Sequence, residues 1–140
     1  MILEILLVED NPADAYLVTK ALERWTTPYR LHTVGSAEDA LDFINRHNGH
    51  SNAPRPHLTL LDLNLPKEPG FTVLKAIKNN PTLRNIAVIV MSSSIAEADL
   101  SQAFELHTNA YVAKPVNFAT FERIFHSLEA FWRLDERFKM

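Results

Sequence analysis

Five residues of this sequence, Glu9, Asp10, Asp62, Ser92 and Lys114, carry side chains suited to metal and phosphoryl chemistry, and each ends or directly follows an apolar run. Three of them are acids that would repel one another if gathered at one place, unless a cation sat between them. Carboxylates with open positions suit a hard cation, and magnesium, which takes oxygen ligands and keeps several waters, fits that donor set. Such a metal leaves room for a phosphoryl group. Asp62, preceded by the run Leu58-Thr59-Leu60-Leu61, is best placed to be a nucleophile, because a carboxylate can take a phosphoryl group to give an acyl phosphate. Ser92 and Lys114 would then contact the phosphoryl oxygens. A single acid at a strand end is ordinarily a helix cap or a solvated turn, so the reading rests on the five meeting.

What would bring them together is an alternation of strands and helices. Ile2 to Val8, Leu58 to Leu61 and Ile86 to Met91 are nearly continuous apolar runs, the pattern of strands covered on both faces in a parallel sheet. Asn11-Pro12 supplies a cap and a first-turn proline for a helix carrying Ala15, Val18, Leu22 and Trp25. Tyr29 to Val34 reads as a short edge strand. Ser36, with Asp39 three residues on, opens a second helix carrying Ala37, Ala40, Leu41 and Ile44. The polar stretch His47 to Pro56 is a loop. A third helix follows Gly70, with Phe71, Leu74 and Ile77 inward, and ends before Pro81. A fourth opens at Ser94, where Glu97 completes a capping box, and carries Leu100, Ala103 and Phe104. Ala110 to Ala113 is a last strand. Asn117 caps a final helix whose apolar stripe runs through Phe118, Phe121, Ile124, Phe125, Leu128, Phe131 and Trp132. Five strands alternating with five helices predict a doubly wound α/β fold, in which ligands bind at the carboxyl ends of the strands.

Composition narrows the function. At roughly 100 to 200 residues per domain, 140 residues predict one domain over 1–140 with no output domain. Hydrophobic residues make up 46% and charged ones 22%, as in folded soluble proteins. The absence of cysteine excludes disulfides, thiolate zinc sites and cysteine nucleophiles. A net charge of -3 with scattered lysines and arginines supplies no basic surface for nucleic acid. The N-terminal run is too short to span a membrane and lacks the basic start of a signal peptide, so a cytoplasmic protein is expected. None of the glycines, Gly35, Gly49 and Gly70, belongs to a phosphate-binding loop.

Four motifs then occur in order: Val8-Glu9-Asp10-Asn11, Leu61-Asp62-Leu63-Asn64-Leu65-Pro66 with Gly70 after it, Val90-Met91-Ser92, and Tyr111-Val112-Ala113-Lys114-Pro115. With these the chain resembles the receiver domain of two-component response regulators over essentially its whole length. The loop Asn52-Ala53-Pro54-Arg55-Pro56 and the ending Phe131-Trp132 are similar to the small regulators paired with bacterial phytochromes. The resemblance implies a flavodoxin-like sheet of strand order 2-1-3-4-5. It implies that Asp62 takes phosphate from a sensor histidine kinase's phosphohistidine, that Asp10, Asp62 and the backbone carbonyl of Asn64 bind magnesium directly, and that Glu9 acts through water. Lys114 would pair with Asp62 or the phosphate. Ser92 would follow the phosphoryl group and Tyr111 would swing inward behind it, a switch biased by charge-assisted contacts. A cis Lys114-Pro115 peptide, usual in this family, would aim the ammonium into the site. The acidic pair is Glu-Asp where Asp-Asp is commoner, and serine replaces threonine at position 92, which bears on metal affinity and switching strength. Asn64 and Ser94 stand where family members tune hydrolysis of the phosphate.

Two other classes compete. An aspartate phosphohydrolase would place its nucleophile after the first strand and a second acid two residues later, where Asn64 stands here, so an enzyme is not expected. A degenerate receiver acting as a phosphorylation-independent binding module would lack an acid or the lysine, and all are present. Trp25 reads as packing. His47, His50 and His57 read as solvated loop residues, not zinc ligands. The final stripe outruns what one sheet needs, which predicts a homodimer through the fourth helix, fifth strand and fifth helix, anchored by Phe131 and Trp132.

Overall fold

The structure is a computed structural model that describes residues 2–93 and 108–134. The elements run β1 (Leu3–Val8), α1 (Pro12–Leu22), β2 (Tyr29–Val34), α2 (Ala37–Asn45), β3 (Leu58–Asp62), α3 (Phe71–Lys78), β4 (Ala87–Ser92), β5 (Ala110–Ala113) and α4 (Phe118–Leu134). The helix expected to open at Ser94 falls on 94–107, outside the described residues. All strand pairs are parallel, in the order β2-β1-β3-β4-β5. The doubly wound expectation and its strand order hold.

Local signals explain most of the boundaries. The Asn11 side chain accepts hydrogen bonds from the backbone N–H groups of Ala13 and Asp14, with Pro12 in the first turn, so α1 starts where its cap satisfies otherwise unpaired donors. Ser36 does the same for α2 through the Asp39 N–H, and Asn117 for α4 through that of Thr120. The apolar runs of β1, β3 and β4 are buried along their whole length. Alternate residues then feed two cores. Leu6 and Val8 face α2 and α3, while Leu3, Ile5 and Leu7 face α1 and α4. Amphipathic spacing was a rougher guide within helices. Phe43 and Val73 are buried, whereas Leu41 and Phe71 pack at the margins of that core.

The aromatic stripe of α4 requires a correction. Phe121, Phe125, Leu128 and Trp132 all belong to the protein's own core, and Trp132 is only 2% exposed, so it cannot anchor a partner surface. The reason lies just beyond α1, which stops at Leu22 and so does not carry Trp25 as the spacing predicted. Trp25 stacks on Phe125 with ring centroids 4.6 Å apart and lies 6.3 Å from Trp132, so the connection after α1 closes with α4 over a layer of rings wider than the sheet alone demands. Thr27 adds a hydrogen bond of 2.9 Å to Glu129 across the same seam. Among the described residues the large apolar side chains left exposed are Ile2 and Tyr16, neither on α4. The side chain of Phe131, and Phe138, lie outside the described part.

The loop histidines are also more structural than expected. His57 is half-buried and its Nδ1 accepts the Glu4 N–H at 2.9 Å, while His50 Nε2 lies 2.7 Å from Asp39. Glu4 itself, buried on β1, receives Arg30 at 2.9 Å and lies 3.2 Å from His32 on the edge strand. Burial holds the His57 pKa below its ordinary 6.5, partly opposed by the Glu4 charge.

Two predictions follow from the packing. A Cβ on Gly70 would collide with the Asp62 carbonyl oxygen and stand 2.8 Å from Leu63 Cα, both backbone atoms at the end of β3. Gly70→Ala should therefore cost about 1–3 kcal/mol in urea denaturation by overpacking, and a variant as stable as wild type would show that the α3 start gives way freely. His57 with a lowered folded pKa supports stability above 6.5 that is lost as pH falls through the depressed value. His57→Asn keeps an acceptor for the Glu4 N–H and removes the titration, so its melting temperature should fall less than that of wild type between pH 7 and 5.

Candidate functional site

The carboxyl ends of β1, β3, β4 and β5 form one rim because the strands are parallel and in matched register. Val8 pairs with Leu61, Asp62 with Met91, and Ser92 with Ala113, so Glu9, Asp62, Ser92 and Lys114 emerge within a residue or two of the same level. Backbone hydrogen bonds carry the ladder through the rim, from Glu9 N–H to Val34 O at 3.0 Å and from Lys114 N–H to Ser92 O at 2.8 Å. Asp62 is 2% exposed and Glu9 is likewise buried, whereas Asp10, the first residue of the turn, is exposed.

Glu9, Asp10 and Asp62 each offer a carboxylate oxygen within 4.8 Å of the others. Three hard oxygen donors at that spacing, two buried and one open to solvent, fit a divalent cation such as magnesium. The Asn64 backbone, expected to add a ligand, follows the same turn, and its N–H donates to Asp62 Oδ1 at 2.9 Å. Its side chain does something the sequence did not suggest. Asn64 Oδ1 accepts the Ser92 hydroxyl at 2.7 Å, and the Ser93 N–H and hydroxyl lie 3.3 Å away. The Ser92 hydroxyl is thus engaged on the Asn64 side of the rim.

Lys114 reaches the centre. Its ammonium donates to both Glu9 oxygens at 3.0 and 2.8 Å and to Asp14 Oδ2 at 3.0 Å, and it lies 3.2 Å from Asp62 Oδ2. The pairing with Asp62 is present, and the Lys114-Pro115 peptide is cis. Glu9, expected beside the metal through water, here also holds Lys114 directly. Asp14 was missed altogether. It lies one helical turn after Asp10, a spacing that could have placed it on the rim side of α1, but an acid in a first turn is ordinarily read as a partner of the helix dipole. Tyr111 sits half-buried on β5 against the core that faces α2 and α3, beside Val90 in register.

The electrostatics follow from three carboxylates on this one ammonium, Glu9, Asp14 and Asp62, with Asp10 close to two of them. Burial is the strongest influence on Glu9 and raises its pKa; the hydrogen bond from Lys114 opposes it, the Asp62 charge adds to it, and the net value is about 7. For Lys114 burial favours the neutral amine, but hydrogen bonds to Glu9 and Asp14 and the charges of Asp62 and Glu9 outweigh it and raise its pKa. The excess of negative charge is what a bound cation would relieve.

Comparison with known proteins agrees with this geometry. Residues 5–126 match the response regulator receiver domain family. Response regulator Rcp1 from Synechocystis sp. is 41% identical over 128 residues, covering 91% of this chain and 87% of Rcp1. Among solved structures, the phosphorylated cyanobacterial phytochrome response regulator RcpA superimposes with a TM-score of 0.81 at 41% identity, over 96% of each chain. The manganese-bound form of Rcp1 does so with a TM-score of 0.79 at 40% identity, over 92% of this chain and 93% of that one.

The raised carboxyl gives a direct test. The Glu9 side-chain carbon, followed by NMR in the metal-free protein, should titrate near pH 7. Lys114→Met should move that midpoint higher, since the hydrogen bond and charge that favour the carboxylate are gone. Stability contributed by this group is full below its ordinary 4.5 and is lost as pH rises through about 7. A Glu9 midpoint in the ordinary carboxylate range would mean that the buried cluster is solvated in solution.

Proposed function

The chain belongs to the response regulator receiver family, and from that premise we propose that it works beside a phytochrome, as the similar regulator RcpA is named for, and that Asp62 accepts a phosphoryl group from the phosphohistidine of a sensor histidine kinase in a magnesium-dependent reaction. The observation that carries this reading is the charged Lys114 ammonium 3.2 Å from a buried aspartate whose oxygens close an acidic trio. An Asp62 oxygen forms the bond to phosphorus while the phosphorus–nitrogen bond to the kinase imidazole breaks. The electron pair returns to that nitrogen, and an acyl phosphate remains on Asp62. Asp10, Asp62 and the Asn64 carbonyl would hold the magnesium, with Glu9 beside them. Bound there, the ion would neutralise charge on the phosphoryl oxygens.

The remaining residues would read the new group. Lys114 offers a donor to one phosphoryl oxygen. The Ser92 hydroxyl would leave Asn64 for another, and Tyr111 would follow inward, changing the face of β5 and α4. Output would then pass through protein contacts on that face, a homodimer among them, without Trp132 as its anchor. The protein would act as a stoichiometric acceptor in the cytoplasm, not as a turnover enzyme, over a single domain spanning 1–140. A net charge of -3 gives no electrostatic reason to expect nucleic acid, and no helix among the described residues is long and apolar enough to cross a membrane. The presence of every acid and of Lys114 supports phosphotransfer over a degenerate binding module.

Incubation with acetyl phosphate and magnesium should add one base-labile phosphoryl group, located on Asp62 by mass spectrometry. Asp62→Asn or chelation of the metal should abolish it. Unchanged labelling in Asp62→Asn would refute the assignment. Asp10→Asn should weaken magnesium binding by at least about tenfold, since even outer-shell partners of metal sites contribute that much.

A further inference from the structure

We propose that Asp14 is a positioning residue that holds Lys114 in the unphosphorylated state, and that the phosphorylated state forms as Lys114 exchanges Asp14 for a phosphoryl oxygen. The inference rests on Asp62 being the phosphoacceptor. An ammonium has three N–H donors. Here they meet three hydrogen bonds, two to Glu9 and one to Asp14, which leaves Asp62 with an ion-pair contact at 3.2 Å. A phosphoryl oxygen on Asp62 therefore needs a donor that is already engaged, and one of the existing bonds must yield.

The surroundings decide which one. Glu9 grips the ammonium with both oxygens and its side chain is fully buried, so releasing it would strand a carboxylate away from water. Asp14 uses one oxygen, and its side chain is 26% exposed, so water can take the place of Lys114 there at little cost. Its backbone is pinned. The Asp14 N–H donates to the Asn11 side chain at 3.2 Å, which fixes the first turn of α1 and keeps the carboxylate over the rim as Lys114 leaves. Asp14 thus opposes the phosphorylated state by competing for the lysine. A second role, stabilising the helix N-terminus, would be the same with or without Lys114.

A double-mutant cycle separates these roles. Beryllofluoride, which imitates the acyl phosphate, is titrated at saturating magnesium into wild type, Asp14→Asn, Lys114→Met and the double variant. Asp14→Asn should bind it roughly two- to fivefold more tightly than wild type, the range of a partly exposed ion pair. In the Lys114→Met background the same substitution should change nothing. Lysine side-chain NMR of the metal-free protein supplies an independent readout, in which the Lys114 Nζ resonance should move in Asp14→Asn. An equal gain with and without Lys114 would reduce Asp14 to plain charge repulsion and overturn the proposal. So would unchanged affinity with an unmoved Lys114 resonance. A wild type that binds no beryllofluoride would overturn the Asp62 reading and this inference together, whereas normal wild-type binding with no Lys114-dependent gain would overturn this inference alone.

Discussion

The rim of this sheet is organised by one buried ammonium. Lys114 draws Glu9, Asp14 and Asp62 together at 2.8 to 3.2 Å, with Asp10 adjoining, and without a cation among them those carboxylates would repel across a poorly solvated space. One positive charge does not balance four negative ones. The residual imbalance shows in the raised pKa of Glu9, where burial disfavours the ion more than Lys114 can offset. A site of this kind carries uncompensated negative charge, which a divalent cation beside it would relieve.

Holding such charges in place is the work of two apolar cores. Strands β1, β3 and β4 are buried on both faces, which leaves their ends little freedom to drift apart under repulsion. At Gly70 the start of α3 comes so close to the Asp62 backbone that no side chain fits, so the acid at the end of β3 is braced from behind. On the opposite face, Trp25, Phe125 and Trp132 lock the connection after α1 to α4. The same helix α1 carries Asp14, so packing far from the rim helps set the distance from Asp14 to Lys114.

Both groups that would answer a phosphoryl oxygen are already occupied. The Ser92 hydroxyl is bound to Asn64, and the Lys114 donors are bound to Glu9 and Asp14. In the receiver reading, phosphorylation does not create contacts from nothing. It competes for donors, and the free energy of switching is a difference between two sets of charge-assisted hydrogen bonds. A small change in either set can therefore shift the balance between states without touching the reacting carboxylate.

Much of this protein was legible from its sequence because the relevant physics is local. Caps at Asn11, Ser36 and Asn117 satisfy backbone donors within three residues, and continuous apolar runs require strands covered on both faces. Acids, serine and lysine at the ends of those runs then had to share a rim, since parallel strands place equivalent ends side by side. The tertiary structure alone decided what depends on contacts between distant elements. Lys114 and Asp14 are 100 positions apart, and His57 meets Glu4 across 53, so no spacing along the chain announces either pair. Nor could periodicity tell whether the last aromatics of α4 face a partner or the chain itself. For Trp132 that depended on Trp25, just beyond the end of α1, lying against it, because a hydrophobic stripe specifies only that something apolar must cover it, and the fold determines what does.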